Sequence, residues 1–337
     1  MPTPATDLYP YLFEPIYKDY IWGGSRIRDA YHRQGAPTRC AESWEIADRP
    51  EGMSLVANGA RKGHTLHQLV QELQTDLVGP QHANCQSFPL LIKLIDAREV
   101  LSVQVHPNDA NAHRTGGEPK TEMWYLLDAT SDARIYAGMQ PGVTPARFQQ
   151  ALADGNLEHL LMQIPARPGR AVYVPGGKVH AIGAGCLLLE IQQNSNTTYR
   201  VHDWNRVDAE GHARELHIAQ AMQVIDWERP SPEVSSPRPL PPEGQNYPYE
   251  ILSSPYFVTA GWNLQEPRTV HIDPPGFRIV FVSKGKVLIG ANGIVTAVPT
   301  GATCLIPAAA KRFTITPVDG KASIVEIQTP PPKTTTL

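Results

Sequence analysis

The stretches FPLLIKLIDA (88–97) and VLSVQVHP (100–107) indicate how this chain folds. Both are short, apolar and rich in β-branched residues, which is typical of buried β-strands. Three more runs have the same character: EMWYLLDA (122–129), RAVYVPGG (170–177) and CLLLEIQQ (186–193). Glycine (26) and proline (32) divide the remaining sequence into short segments. The sequence therefore predicts a mainly β protein.

A small number of helices is expected between these strands. Residues 65–78 carry apolar side chains at the spacing of one helix face. In 144–162, Thr144 can cap a helix that begins with Pro145. A third, shorter helix is expected near residues 215–225.

The chain is expected to contain two β domains in tandem. Residues 1–227 are predicted to form a first domain with inserted helices, and 249–329 a smaller C-terminal β domain. The proline-rich segment 228–248 is predicted to be an extended linker without regular structure, and 330–337 a loose tail.

A faint internal repeat fits this arrangement. The pattern G-x5-P-x-G-x2-H occurs once, and a second copy has the same spacing with two positions changed. We expect two similar β units, of which the second has lost its histidine and binds no metal. The matching positions are Gly169, Pro175, Gly177 and His180 in the first copy and Gly301, Pro307, Ala309 and Arg312 in the second.

Composition excludes several classes of protein. Thirty Lys and Arg residues against 33 Asp and Glu give no electrostatic reason to expect nucleic acid or an anionic membrane as a partner. No apolar run reaches the length of a membrane span, and the N-terminus lacks a signal-peptide pattern. Four cysteines without CxxC spacing indicate free thiols in a reducing compartment. We therefore expect a cytoplasmic protein, for which small anionic ligands remain possible.

The pair Gln104 and His106 is the sharpest local signal for chemistry. On a strand they project from the same face, because side chains alternate along its length. With Glu122 and His180 they make a set of nitrogen and oxygen ligands that suits Zn²⁺ best, although Mn²⁺, Co²⁺ or Fe²⁺ can substitute. The alternative is that the histidines are ordinary core or surface residues, but a glutamine inside an apolar strand needs a polar partner.

Seven stretches in order over roughly residues 9–225 resemble the type I phosphomannose isomerases, above all their short bacterial form. The resemblance implies two cupin-type β-barrels in tandem, with a few helices. It also implies an enzyme that interconverts mannose 6-phosphate and fructose 6-phosphate through a cis-enediol, and we expect a monomer. The matching stretches are YIWGG (20–24), AESWEI (41–46), FPLLIKLIDA (88–97), LSVQVHPND (101–109), GEPKTEMWY (117–125), VPGGKVHAIG (174–183) and LLLEIQQNSNTTYRVHDWNR (187–206).

The resemblance also implies one zinc ion per chain, held by Gln104, His106, Glu122 and His180. The chain departs from the long members of the family at Pro119, where they carry a histidine before the lysine, so a ring-opening role does not transfer to that position. The segment VHDWNR (201–206) follows the short members instead, and no role is carried over to its Asp or Arg residues.

Three polar residues are candidates for catalysis: Lys120, Glu190 and Arg200. Lys120 lies two residues from Glu122, and a carboxylate at Glu190, inside an apolar strand, needs a partner. Arg200, and after it Lys93, are candidates for binding the substrate phosphate. The alternatives are a solvated loop position for Lys120 and structural ion pairs for the other three. Trp22 and Trp44 are expected to be packing residues.

The alternative functions are the same reaction on another sugar and two functions of other classes. The same chemistry could act on another sugar, such as an unphosphorylated aldose or glucose 6-phosphate. A cupin without catalytic activity could bind a sugar phosphate or a metal as a sensor, and a metal-dependent cupin could be an oxygenase. The expected partner in the first two cases is a small sugar or sugar phosphate, with neither nucleic acid nor membrane.

Overall fold

The computed structural model describes residues 7–207, 210–229, 233–235 and 246–330. The chain forms two compact units, each built from separate stretches of sequence. Unit 1 comprises residues 1–16, 44–91 and 238–337, and unit 2 comprises residues 17–43 and 92–237. The fold is mainly β, as the sequence predicts.

The strands as far as residue 202 are β1 (Tyr11–Leu12), β2 (Ile16–Lys18), β3 (Glu42–Ile46), β4 (Asp48–Arg49), β5 (Gly52–Met53), β6 (Leu90–Ala97), β7 (Val103–Val105), β8 (Glu122–Ala129), β9 (Arg134–Met139), β10 (Leu161–Pro165), β11 (Ala171–Val174), β12 (His180–Ile182), β13 (Cys186–Gln193) and β14 (Tyr199–His202). The later strands are β15 (Glu233–Ser235), β16 (Tyr247–Ser253), β17 (Val258–Leu264), β18 (Arg268–His271), β19 (Arg278–Lys284), β20 (Val287–Ala291), β21 (Ile294–Val298), β22 (Thr303–Ile306), β23 (Arg312–Pro317) and β24 (Ala322–Gln328).

The α-helices are α1 (Arg26–Ala30), α2 (Leu66–Leu73), α3 (Thr75–Val78), α4 (Pro145–Ala153) and α5 (Ile218–Val224). Thr144 caps α4 by accepting a hydrogen bond from the backbone N–H of Arg147, as expected. The predicted single helix over 65–78 is instead two helices. Gln74 between them has a φ of 47°, in the left-handed region that interrupts a right-handed helix.

Unit 2 carries the candidate site and contains a five-stranded sheet with the order β10-β9-β12-β7-β14. A seven-stranded sheet has the order β15-β11-β8-β13-β6-β3-β2. Buried side chains of both sheets pack into one core, with Trp124 and Leu188 from the larger sheet and Ile135 and Ile182 from the smaller. The two sheets therefore face each other across an apolar layer.

The other face of the five-stranded sheet packs against α4 and α5. Val103 and Val105 of β7 lie in one cluster with Phe148 of α4 and Ala221 of α5. Because side chains alternate along a strand, burial of these two valines directs Gln104 to the opposite face. The helices thus fix which face of β7 carries the polar residue.

Unit 1 is built from a six-stranded sheet (β1-β22-β19-β24-β17-β16) and a four-stranded sheet (β18-β23-β20-β21), with a shared apolar core. These units differ from the expected consecutive domains, 1–227 and 249–329, because residues 1–16 and 44–91 group with the C-terminal part. Strand β1 pairs with β22, with Tyr11 opposite Leu305. These two strands are almost 300 positions apart in the sequence, so no local sequence pattern predicts that they pair.

The prediction that 228–248 lacks regular structure is wrong at two places. Residues 233–235, which contain no proline, form the edge strand β15 beside β11, and β16 begins at Tyr247. The proposed tail, 330–337, lies almost entirely outside the described residues.

The internal repeat corresponds to two similar pieces of structure. In the first copy β11 ends at Val174, and β12 begins at His180. In the second, β22 and β23 occupy the same relative positions, with Arg312 starting β23. Each copy is thus a strand, a turn and a strand with the same spacing.

All four cysteines are free thiols. Within the described residues, no helix is both long enough and apolar enough to span a membrane.

Candidate active site

Three side chains from different strands of unit 2 form a compact cluster. His106 follows β7, Glu122 begins β8 and His180 begins β12. The Nε2 atom of His106 lies 3.4 Å from Glu122 Oε2, and the Nε2 atom of His180 lies 3.3 Å from Glu122 Oε1. All three residues are buried, and their ligand atoms lie within 4.8 Å of one another.

The sequence PGGKVH (175–180) brings this cluster together. Gly177 has a φ of 94°, and its N–H donates a hydrogen bond of 2.7 Å to the carbonyl of His106. A Cβ on Gly176 would lie 2.5 Å from the carbonyl oxygen of Pro107, so only glycine permits this approach. The two glycines therefore hold the His180 turn against the end of β7.

Backbone carbonyls fix the tautomer of both histidines. The Nδ1 atom of His106 lies 2.8 Å from the carbonyl oxygen of Thr197, and that of His180 lies 2.7 Å from the carbonyl oxygen of Lys178. A carbonyl only accepts hydrogen bonds, so each Nδ1 carries the proton and each Nε2 presents its lone pair to Glu122.

The cluster has the features of a metal site. Glu122 Oε1 and His180 Nε2 are buried acceptors for which the described residues supply no hydrogen-bond donor. Two acceptors that face each other at 3.3 Å are unfavourable unless a cation or a proton lies between them. Two imidazole nitrogens and a carboxylate are a donor set for divalent transition metals, so the residues fit such an ion.

Gln104 lies next to this cluster. In the five-stranded sheet it is directly opposite His180 of β12 on one side and Arg200 of β14 on the other. Directly opposite residues share a face, so the three side chains form one row across the sheet. Gln104 is partly buried and lines a cavity.

Lys120 couples the cluster to its surroundings. Its Nζ atom lies 2.8 Å from Glu122 Oε2 and 3.2 Å from His106 Nε2. Burial opposes ionisation of Glu122, but the charge of Lys120 acts against it, and the pKa of that carboxyl lies well below its usual range. Burial and the Lys120 charge lower the pKa of His106 to about 3, and burial lowers that of His180.

Lys93 and Glu190 form a second buried ionic group. The Nζ atom of Lys93 lies 3.2 Å from Glu190 Oε2 and 3.7 Å from Glu42 Oε2, and Trp124 Nε1 donates to Glu190 Oε1 at 3.0 Å. Burial lowers the pKa of Lys93, but the nearby carboxylates outweigh it and the net shift is upward. Burial raises the pKa of Glu190 despite Lys93.

A cavity of about 250 Å³ connects these groups. Its lining includes five residues selected from the sequence, namely Lys93, Gln104, Lys120, Glu190 and Arg200. His106, Glu122 and His180 are not part of the lining, but the lining residue Lys120 contacts Glu122 and His106, and Gln104 is paired with His180 in the sheet. The eight predicted site residues thus come together as a buried cluster and the cavity beside it.

The cavity also contains residues that sequence reasoning passed over. Tyr20, Glu42 and Arg214 line it, and so does Trp22, which was expected only to pack. Trp22 does both, since it also belongs to the buried core, while Trp44 is a packing residue as expected. The motif YIWGG contains Tyr20 and Trp22, and AESWEI contains Glu42, so both motifs could have indicated these site residues. No local motif indicates Arg214.

The fold and this site define a class of protein: a mainly β chain with a potential metal centre beside a cation-rich cavity. Residues 11–138 match the family described as phosphomannose isomerase type I, catalytic domain. The mannose-6-phosphate isomerase ManA of Bacillus subtilis is 38% identical over 288 residues, which cover 82% of this chain and 86% of that protein. The chain belongs to the type I phosphomannose isomerase family.

Two further comparisons agree. The mannose-6-phosphate isomerase of Streptococcus mutans is 37% identical over 272 residues, covering 80% of this chain and 84% of that protein. The crystal structure of the mannose 6-phosphate isomerase from Bacillus subtilis matches with a TM-score of 0.82 and 31% identity, covering 95% of this chain and 99% of that one. The cupin-type architecture is thereby confirmed. The prediction of two closed barrels is not confirmed, because the described strands form separate sheets.

Proposed function

We propose that this chain is a metal-dependent aldose–ketose isomerase that interconverts mannose 6-phosphate and fructose 6-phosphate. The observation that carries the proposal is the buried cluster of His106, Glu122 and His180 next to a cavity lined by Lys120, Glu190 and Arg200. The relatives named as mannose-6-phosphate isomerases, which align over most of the chain, support the choice of substrate.

The metal would be held by His106, Glu122 and His180, with Gln104 as a further oxygen ligand. Zinc matches these nitrogen and oxygen donors best. Bound there, a divalent ion supplies a Lewis acid that polarises a sugar oxygen and stabilises the negative charge of an enediolate. The two backbone carbonyls on Nδ1 orient the histidines for this role.

The remaining residues divide the chemistry between proton transfer and binding. Lys120 and Glu190 line the cavity, so either can carry a proton between C1 and C2 or between the two sugar oxygens. Arg200 offers a planar guanidinium group for the phosphate, and Lys93 a buried point charge. The cavity lining has four cationic side chains, which suit an anionic sugar: Lys93, Lys120, Arg200 and Arg214.

The test is isomerisation of mannose 6-phosphate, measured by coupled detection of fructose 6-phosphate. We expect activity that is lost on chelation and restored by Zn²⁺. Glucose 6-phosphate and free mannose, assayed alongside, distinguish other sugar specificities. A folded, metal-loaded protein that isomerises none of these sugars would contradict the proposal and favour a sensor.

We further propose that the enzyme works as a cytoplasmic monomer.

A further inference from the structure

Arg200 has an unused hydrogen-bonding edge at the cavity. Its Nη1 group donates to the carbonyl of Glu215 at 2.8 Å, while its buried Nε has no hydrogen-bond partner among the residues that the structure describes. No carboxylate of the described residues forms an ion pair with it. A buried N–H of a cation without an acceptor is costly, so this edge has the properties of a binding group for an anion.

Arg214 lines the same cavity and is held in place from one side. Its Nε donates to Asp203 Oδ2 at 2.7 Å and its Nη2 to Asp203 Oδ1 at 2.5 Å, so Asp203 is bound by two parallel hydrogen bonds. In the described part of the chain, Nη1 of Arg214 has no partner. The Arg214 side chain is 31% exposed. A second guanidinium edge is therefore available at the cavity.

The carboxylate that positions Arg214 belongs to a tight turn. Trp204 and Asn205, which follow Asp203, both have a φ of 55°, an unfavourable conformation for residues other than glycine. Hydrogen bonds hold this turn in place, since Trp204 Nε1 donates to the carbonyl of Leu101 at 2.7 Å and Arg206 Nη1 to that of Val100 at 2.6 Å. Asp203 is thus a rigid support for Arg214.

The charges at this end of the cavity are unbalanced. Asp203 also binds Arg206, at 2.5 Å, so one carboxylate serves two guanidinium groups while Arg200 stands beside them. By contrast, Lys93 is paired with Glu190 and Lys120 with Glu122. The Glu215 carboxylate also acts on Arg200, but its side chain is 83% exposed, so an excess of positive charge remains at the arginines and favours an anion there.

We propose that Arg214, positioned by Asp203, binds the substrate phosphate together with Arg200 and sets the preference for phosphorylated over free sugars. This inference rests on the proposed function for the identity of the sugar. It assigns a role to a residue that the sequence analysis did not select.

The first test measures binding without turnover. Sorbitol 6-phosphate has no carbonyl to isomerise, and its binding to the metal-loaded full chain can be measured by calorimetry. Losing charge-assisted hydrogen bonds should weaken this binding about 10- to 100-fold in Arg214→Gln. Asp203→Asn should give a smaller loss, because Arg214 then keeps its charge but loses its support.

Arg28→Gln is the matched control. Arg28 also binds a neighbouring aspartate, Asp29, at 2.8 Å in unit 2, but it does not line the cavity. Its removal changes the net charge equally and should leave the dissociation constant within about threefold of wild type. Comparable losses in Arg28→Gln and Arg214→Gln, or binding by Arg214→Gln as tight as wild type, would overturn the inference.

The second test separates binding from catalysis. In Arg214→Gln we expect KM for mannose 6-phosphate to rise about 10- to 100-fold while kcat changes less than about threefold, because the phosphate does not react. A fall in kcat at unchanged KM would overturn the inference. A wild-type protein that binds sorbitol 6-phosphate through Arg214 but isomerises no sugar would refute the proposed function and leave this inference supported.

Discussion

Lys120 is the residue at which the metal cluster and the cavity meet. It lines the cavity, while its Nζ atom lies 2.8 Å from Glu122 and 3.2 Å from His106. A cation in this place serves two purposes, since it stabilises the Glu122 carboxylate and carries protons within reach of a bound sugar. These purposes can be separated experimentally.

Lys120→Met should lower kcat about 10²- to 10⁴-fold, the usual range for loss of a general acid or base. Metal binding should persist, because removing a positive charge beside Glu122 does not weaken the attraction of a cation. Steady-state kinetics and metal content by atomic absorption check both points. The control is Lys62→Met at an exposed position, and loss of metal together with activity would show that Lys120 is structural.

His82 provides a test of pH dependence in unit 1. Its ring stacks on Phe277 with centroids 5.9 Å apart, and its buried Nε2 has no hydrogen-bond partner in the described part of the chain. Burial lowers the pKa of His82, so below about pH 6.5 the unfolded chain takes up a proton that the folded chain resists. Stability therefore falls as the pH drops through this range.

His82→Phe should make the free energy of unfolding less dependent on pH between about pH 5 and 6.5. The slope against pH should fall by an amount that corresponds to less than one bound proton per molecule. His106 and His180 contribute in the same direction, so part of the dependence should remain. Denaturant unfolding at several pH values measures the slope. His113→Phe, at an exposed position, is the control, and an unchanged slope in His82→Phe would contradict the assignment.

At the scale of elements, an ion pair joins two buried strands of the larger sheet of unit 2. Lys93 on β6 and Glu190 on β13 are both almost inaccessible to solvent, and the strands are neighbours in the sheet. An isolated charge in such a place is expensive, whereas a matched pair is tolerated. The two strands thus depend on each other's charge as well as on apolar packing.

Lys93→Met should therefore destabilise the fold by about 3–5 kcal/mol, because it removes the cation that lies 3.2 Å from Glu190 and 3.7 Å from Glu42. The double variant Lys93→Met, Glu190→Gln should be more stable than the sum of the single effects predicts. Urea unfolding of the four proteins gives the coupling energy. If the effects of the two single substitutions on the free energy of unfolding simply add, Glu190 does not stabilise Lys93, and Glu42 is its counter-ion.

At the scale of the whole molecule, the metal should contribute to stability as well as to chemistry. The orphaned Glu122 and His180 atoms gain a partner only in the folded protein, so binding is linked to folding. At free Zn²⁺ about 100-fold above the dissociation constant, the gain is about 2.7 kcal/mol. For a chain of 337 residues this corresponds to a Tm about 4 °C above that of the chelated protein.

Calorimetry of the chelated and reloaded protein measures this shift. Glu122→Gln is the matched variant, since it keeps the shape of the side chain but removes the anionic ligand. Its Tm should respond little to Zn²⁺. An equal shift in both proteins would place the metal elsewhere.

Much of this protein follows from local sequence. Alternating apolar residues predict the strands of unit 2, and two of them, β8 and β13, have the predicted limits. Thr144 and Pro145 predict the start of α4, and the spacing of Gln104 and His106 predicts a shared face. These signals are local because side-chain alternation, helix capping and turns depend on neighbouring residues.

Only the tertiary structure decided the rest. The association of residues 1–16 and 44–91 with the C-terminal part depends on pairs such as Tyr11 and Leu305, which no local pattern encodes. Arg214 reaches the cavity because the Asp203 turn holds it there, and its own neighbourhood in the sequence is ordinary. Local patterns determine elements and their faces, whereas hydrogen bonds and ion pairs between distant residues determine which faces meet.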